Sequence, residues 1–461
     1  MSAALQAIVL AAGKGTRMNS AKPKVLHEAG GLPLLQYVLD TCADLGAQTT
    51  VVVGHEAAAV RGAFAHRESL RFALQEPQMG TGHAVQVALQ QAPAISGRPV
   101  IVLAGDVPLL RSETLRHLCR IRDERGAAAA LLSFRTPNPA GYGRIVRNGR
   151  GSVTRIVESK DADATERLID EVNASIYVFD GDKLASTVRT LRSDNAQGEF
   201  YLTDVIGLMA AAGERVEALL IDDASEASGV NTLTELSDIE RAILSRRATA
   251  LVAAGVLVER PDTVLVGPLV VVRPGARIRA FTILEGKTVV EAGASIGPFC
   301  RIEDSFVGPG AVILDSCRVR SSRVEAGATI GPFAHLRPDS VVGENAKVGN
   351  FVELKKTTLG PGSKAPHLSY LGDAAVGSVV NIGAGTITCN YDGVVKSPTR
   401  IEDGAFVGSN SILVAPVTVG KGAYIAAGSV ITQDVPAGAL GVARSRQENK
   451  SGWASRRTKK P

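Results

Sequence analysis

Between residues 324 and 354 an aliphatic side chain returns at every sixth position: Val324, Ile330, Leu336, Val342, Val348 and Leu354. Small or polar residues fill the gaps. A period of six would scatter these side chains over several faces of an α-helix or a hairpin. It suits a parallel β-helix, in which short strands wind round a prism and each turns one aliphatic side chain inward. The same step links Val290, Ile296 and Ile302, and then Ile401, Val407, Leu413, Val419, Ile425 and Ile431. The pattern predicts a solenoid over residues 253–440. It fails twice, around 355–371 and 386–400, and function is expected where a regular repeat is interrupted.

The first half of the chain has a different rhythm. Residues 7–10 read as a buried strand and 11–16 as a glycine-rich turn. After them come a helix (34–45), a strand (50–53), helices (56–65 and 83–91), a strand (100–103), a helix (112–125) and a strand (128–134). Strands alternating with helices predict a mostly parallel sheet covered on both faces. Ligands of such sheets lie at the carboxyl ends of the strands, here the loop after Leu10 and the turn Ala104-Gly105-Asp106. Leu233, Leu236, Ile239, Ile243, Leu244, Leu251 and Val252 have helical spacing, which predicts a connecting helix over 231–252. The divisions are therefore 1–230, 231–252, 253–440 and a tail, 441–461.

Composition adds limits. A chain of 461 residues needs two or three cores. Aromatic residues make up 4% and glycines number 48, as suits a coil with tight corners. The five cysteines show no close pairing and no zinc-like spacing, and read as reduced structural thiols. No apolar run approaches the roughly 20 residues of a membrane span, so a cytoplasmic protein with no membrane partner is expected. The net charge of +5 is concentrated at the end: seven basic residues against Glu448 give the tail +6 and leave the rest at −1. Only Trp453 interleaves an aromatic with that charge, so nucleic acid is not an expected partner.

The most specific local signal is Gly13-Lys14-Gly15-Thr16-Arg17-Met18 followed by Pro23-Lys24. A glycine-rich turn presents backbone N–H groups to a phosphate chain, and Arg17 and Lys24 supply positive charge. The G-K-[ST] ending of a Walker loop is missing. The pattern G-x-G-T-x-M-x4-P-K resembles the nucleotidyltransferases that activate sugar 1-phosphates. That resemblance implies nucleotide contacts from Leu10, Ala11, Ala12, Gly13, Arg17 and Lys24, and uracil reading by Gln75, Gly80 and Thr81. It implies a carboxylate turn at Ala104, Gly105 and Asp106, and sugar contacts at Gly143, Glu158 and Asn173. Asp106 and Asn231 would hold Mg2+.

The interruptions of the solenoid carry a second constellation: His367 among lysines, a tyrosine and asparagines. With the first motif, it resembles the bacterial bifunctional N-acetylglucosamine-1-phosphate uridylyltransferase/glucosamine-1-phosphate N-acetyltransferases. This implies an α/β chain: a Rossmann-like nucleotidyltransferase domain, a connecting helix and a left-handed parallel β-helix of hexapeptide repeats. His367 becomes the general base for the glucosamine amine, with Glu353 orienting the imidazole. Arg337, Lys355, Tyr370 and Asn381 become the sugar-phosphate clamp, and Asn390 and Tyr391 complete the site on its acetyl-CoA side. Ala384, Ser409, Ala427 and Arg444 become acetyl-CoA contacts. UTP, acetyl-CoA and glucosamine 1-phosphate are then the small-molecule partners, and a homotrimer is implied. The chain departs from the family at Ala104 (often tyrosine), at Ala174-Ser175 (usually Thr-Gly) and at Pro366 (a glycine). Two alternatives stand beside this reading. One is a single-activity sugar-1-phosphate nucleotidylyltransferase with a structural or regulatory β-helix, and the other a non-catalytic assembly subunit.

Overall fold

A computed structural model describes residues 5–13, 15–18, 20–91 and 95–457, in two compact units, Met1–Ile243 and Leu244–Pro461. Lys14 of the glycine-rich loop and Lys459 and Lys460 of the tail lie outside the described residues.

The first unit is built on one sheet. Its strands are β1 (Gln6–Leu10), β2 (Gln48–Val53), β3 (Arg71–Leu74), β4 (Pro99–Ala104), β5 (Ala129–Arg135), β6 (Arg144–Arg147), β7 (Val153–Val157), β8 (Glu171–Asp180) and β9 (Val216–Leu220). The order is β9-β5-β8-β4-β1-β2-β3, with β6 beside β8 and β7 beside β6. Strands β1 to β4 run parallel, whereas β8 is antiparallel to both β4 and β5. The central strands read as unbroken hydrophobic runs because both of their faces are covered. Val9, Val51 and Leu103 pack on one side with Leu35 of α1 (Leu34–Asp44) and Leu115 of α4 (Ser112–Arg125). Ile8, Val52 and Val102 pack on the other with Val85 of α3 (Thr81–Gln91) and Val205 of α6 (Thr203–Ala211). Helices α2 (Ala57–Ala63) and α5 (Gly181–Thr187) complete the layers.

Helix α7 spans Leu233–Ala253. Its Ile239 and Ile243 pack with Met18, Leu34 and Leu109 in the first unit, and its Leu251 belongs to the core of the second.

The second unit is a prism of three parallel sheets with 11, 10 and 9 strands. One inner ladder runs Leu284, Ile302, Val319, Leu336, Leu354 and Leu371, each side chain 0% exposed and paired in register with the coil before it. Small hydroxyl residues serve between the aliphatics: Thr357 donates to the Leu371 carbonyl at 2.8 Å and Ser363 to Gly377 at 2.6 Å, pairing polar backbone that the coil buries. The structure corrects one expectation. The coil does not break at 355–371. There the inward step shortens from six to five, from Leu354 to Leu359, and then continues through buried Ala365, Leu371, Val376 and Ile382. Only the second interruption is an excursion: a loop with a Tyr391–Lys396 bridge, after which Thr399 resumes the sheet.

Candidate active sites

The first site opens at the carboxyl ends of β1, β3 and β4, around a cavity of about 470 Å³. Its floor is Leu10, Ala11, Ala12 and Gly13, and Gln75, Gly80, Thr81, Ala104 and Asp106 form the near wall. Glu158 faces them from across the cavity, after β7. Gly105 does not line the space but ties it together, donating its N–H to the Leu10 carbonyl at 2.9 Å.

Charges converge at one end. Lys24 Nζ pairs with Asp106 Oδ2 and donates to Asn231 Oδ1 at 3.3 Å. Arg17 donates to the same Asn231 oxygen at 2.9 Å. Asn231 is fixed by the capping box that opens α7: Glu235 accepts from the Asn231 and Thr232 N–H groups at 2.6 and 3.0 Å, and Thr232 Oγ1 accepts from the Glu235 N–H at 3.2 Å. Two oxygens, one carboxylate and one amide, therefore point at a single cationic position. That donor set fits a hard divalent cation, which takes oxygen ligands and completes its shell with phosphate and water. No group of three or more His, Cys, Asp or Glu side chains is arranged to hold a metal among the described residues, so the protein offers only part of a coordination shell.

Beside the Gly80 turn, Gln75 donates to the Gly80 carbonyl at 2.9 Å and its amide nitrogen faces His83 Nδ1 at 3.3 Å. Its amide nitrogen is thereby committed, and its carbonyl oxygen is left to accept a hydrogen bond. Gly80 has φ 101 and lies against the Phe200 carbonyl, where a Cβ would come within 2.7 Å, so the turn requires glycine. Elsewhere in the lining, Thr203 donates to Glu158 at 3.0 Å. Burial pushes the Glu158 carboxyl above its ordinary value of 4.5, and that hydrogen bond only partly opposes it. Asn173 lies behind the wall: it is buried, donates to the Tyr177 hydroxyl at 2.7 Å and receives the Ser175 N–H at 3.1 Å. Its own N–H donates to the Gly143 carbonyl at 2.8 Å, so Gly143 and Asn173 form one unit. Gln78, Tyr177 and Thr203 also line the cavity and were absent from the sequence reading. Gln78 sits in an irregular segment, Tyr177 in the antiparallel β8 and Thr203 at the start of α6, none of which hydrophobic periodicity resolved.

The second site follows one corner of the prism. His367 ends the strand Lys364–His367 and pairs in register with Asn350 one coil earlier. Strand pairing carries the line onward to Ala384, Ser409 and Ala427. Consistent with this, the Asn410 N–H donates to the Ala384 carbonyl at 2.7 Å, and the Gly428 N–H to Ser409 at 2.8 Å. Arg444 packs by Gly428 at the far end, with its Cδ 3.9 Å from where a Cβ would stand. Successive coils rise by roughly 4.8 Å, so the histidine and the proposed acetyl-CoA contacts form one straight track.

Glu353 is not the partner of the imidazole. Its carboxylate accepts from Arg337 at 2.9 Å, while His367 Nδ1 meets Asn350 Oδ1 at 2.7 Å. The reason is register: Asn350 lies directly below His367, whereas Glu353 has passed the corner and lies below Tyr370. An amide oxygen only accepts, so in the neutral imidazole this contact places the proton on Nδ1 and the lone pair on Nε2.

On the next face, Tyr370 leans across Gly372, whose missing Cβ would come within 2.5 Å of the tyrosine oxygen. Gly372 pairs with Lys355, which brings the phenol over the lysine. Lys355 Nζ donates to Asp373 at 3.1 Å, and Asn390 donates to the same carboxylate oxygen. Asn381 is placed apart. It registers with Lys364, three positions before His367, or roughly 10 Å along the strand. Tyr391 stands exposed on the loop, its hydroxyl turned back to the Gly393 carbonyl. Asn350 and Asp373 were missed from the sequence.

Residues 7–172 match the family described as MobA-like NTP transferase domain. Residues 263–365 match a GMPPB C-terminal domain, and 398–433 a hexapeptide repeat of succinyl-transferase. With the three-sheet prism, these give an α/β chain ending in a left-handed parallel β-helix. Three relatives carry the name bifunctional protein GlmU. That of Heliobacterium modesticaldum is 48% identical, across 98% of this chain and 98% of its own. That of Carboxydothermus hydrogenoformans is 46% identical, across 97% and 100%. That of Brevibacillus brevis is 47% identical, across 99% and 98%. Identity near one half over nearly the full length of both partners places this chain in the family of bifunctional GlmU proteins.

Proposed function

We propose that the two constellations are the working sites of the family's two reactions. Those reactions are acetyl transfer from acetyl-CoA to glucosamine 1-phosphate, and transfer of uridylyl from UTP to the resulting N-acetylglucosamine 1-phosphate, releasing pyrophosphate. The product, UDP-N-acetylglucosamine, feeds peptidoglycan and lipopolysaccharide synthesis. The single-activity alternative is set aside by the same membership.

The observation that carries the acetyltransferase assignment is the His367 corner. Asn350 fixes the Nδ1–H tautomer, so Nε2 is the base that takes a proton from the glucosamine nitrogen. The nitrogen attacks the thioester carbonyl, the C–N bond forms, the C–S bond breaks and CoA leaves as its thiol. Arg337, Lys355 and Tyr370 bind the phosphate beside it, and the Ala384–Ser409–Ala427–Arg444 track receives acetyl-CoA.

In the first unit, a phosphate oxygen of the sugar attacks the α-phosphorus of UTP. The loop after β1, with Arg17 and Lys24, stabilises the charge that develops on the phosphates. Asp106 and Asn231 are the residues that would hold Mg2+, which would supply further charge neutralisation. The free carbonyl of Gln75 complements the N3–H of uracil, and Glu158, with Asn173 behind it, orients the sugar.

The protein works as a homotrimer. Asn381 is too far along its strand to serve His367 of its own chain, and Val379, Val394 and Val395 are more than half exposed near the site. A neighbouring copy that brings Asn381 and the 390–398 loop to the His367 corner accounts for both. The cytoplasm is the proposed location, and no described helix is long and apolar enough to cross a membrane.

The two half-reactions, assayed separately on wild type, Arg17→Ala and His367→Ala, test the assignment. Arg17→Ala is expected to lose uridylyl transfer alone, and His367→Ala acetyl transfer alone, each by at least about 100-fold. Loss of both activities in either variant would refute two separate sites.

A further inference from the structure

Asp373 is an acidic group beside a site meant to receive a phosphate, which like-charge repulsion would ordinarily disfavour. It stands at the corner after Tyr370-Leu371-Gly372, at φ 48, a conformation that aspartate tolerates better than most residues. Its backbone is anchored on both sides: its N–H donates to the Lys355 carbonyl at 2.9 Å, and its own carbonyl accepts from Thr399 at 3.2 Å. Its Oδ2 accepts from Lys355 Nζ at 3.1 Å and from the side-chain amide of Asn390. The two ends of the Lys355–Asp373 pair are only 15% and 19% exposed. Burial pushes the carboxyl up, but the hydrogen bonds from Lys355 and Asn390 outweigh it, helped by the charges of Lys355 and Lys396, and hold it below the usual carboxylate range.

We propose that Asp373 is a positioning residue for acetyl transfer: its carboxylate fixes the Lys355 ammonium and the Asn390 amide in the arrangement that receives the phosphate of glucosamine 1-phosphate. A lysine on four rotatable bonds would otherwise lose that freedom when substrate binds. One of its three N–H donors is taken by Asp373, and two are left for phosphate. Because two cations flank the carboxylate, its repulsion of the incoming phosphate is largely offset. The same contact ties the base of the 390–398 loop to the clamp. The inference rests on Lys355 being the phosphate clamp, as assigned above.

The test is a double-mutant cycle on acetyl transfer, measuring KM and kcat for glucosamine 1-phosphate in wild type, Asp373→Ala, Lys355→Ala and the double variant. Asp373→Ala is expected to raise KM for glucosamine 1-phosphate about tenfold, the scale of one charge-assisted hydrogen bond, with little change in kcat. Asp373→Asn, which keeps an acceptor oxygen, is expected to fall between wild type and Asp373→Ala, and it carries the test if the alanine variant does not fold. In the Lys355→Ala background the effect of removing Asp373 is expected to vanish. An equal KM penalty in both backgrounds, or a loss confined to kcat, overturns the positioning role while leaving the clamp intact. If Lys355→Ala itself leaves KM unchanged, the clamp assignment fails, and this inference with it.

Discussion

Ser175 has φ 57, in the left-handed region, at the point where the pairing of β8 with β5 shifts register between Asn173 and Tyr177. Glycine reaches this conformation without strain, whereas a residue with a Cβ does not. Ser175→Gly is therefore expected to stabilise the protein by roughly 0.5–1 kcal/mol, after glycine's greater unfolded freedom is set against the relief. Denaturant unfolding measures this, and a destabilised variant would show that the serine side chain matters more than its backbone. Glu158 gives a second prediction. Its carboxyl is held above 4.5, so its contribution to stability is full below 4.5 and is lost as pH rises through the folded value. Glu158→Gln does not titrate, so its melting temperature relative to wild type should rise across that window. A difference that stays flat from below 4.5 to neutral pH would contradict the burial argument. In the sequence His367 stood out by the chemistry of its neighbours and Asp106 by its place after a strand, whereas Glu158 came only with the family resemblance. Asn350 and Asp373 were not legible, because an asparagine or aspartate at a corner looks like any turn residue until register shows what stands above it.

At the scale of the element, the six-residue ladder was the most legible feature of the chain, since every position named in it is buried. Leu336 is 0% exposed and stacks between Val319 and Leu354. Leu336→Ala should cost about 2–5 kcal/mol, as expected for a leucine whose cavity cannot collapse in a close-packed core. The outward Val341→Ala should cost about 1 kcal/mol or less. Equal costs in chemical denaturation would contradict the prism geometry. The pattern misled at 355–371 because a coil takes either 17 or 18 residues, and a shortened corner looks like a break when only spacing is counted. In the first unit, β1, β2 and β4 were clear from their apolar runs. Strands β6 to β9 were not: β6 and β7 form an Arg-containing hairpin, and β8 is interrupted by the shift at Ser175.

At the scale of the whole molecule, each unit carries one of the two proposed sites, and these share no residue. The proposed trimer predicts a solution mass of three times the 48.0 kDa chain. Light scattering that finds a monomer with full acetyltransferase activity would rule out a contribution of Asn381 from a neighbour. The central claim is that one chain performs two chemically separate transfers in sequence. Its most direct test is to mix separately purified Arg17→Ala and His367→Ala proteins with glucosamine 1-phosphate, acetyl-CoA, UTP and Mg2+, and to measure UDP-N-acetylglucosamine. Each variant alone should form almost none, and the mixture should form it readily, because one protein supplies the acetylated intermediate and the other consumes it. A mixture as inactive as its components would contradict the account.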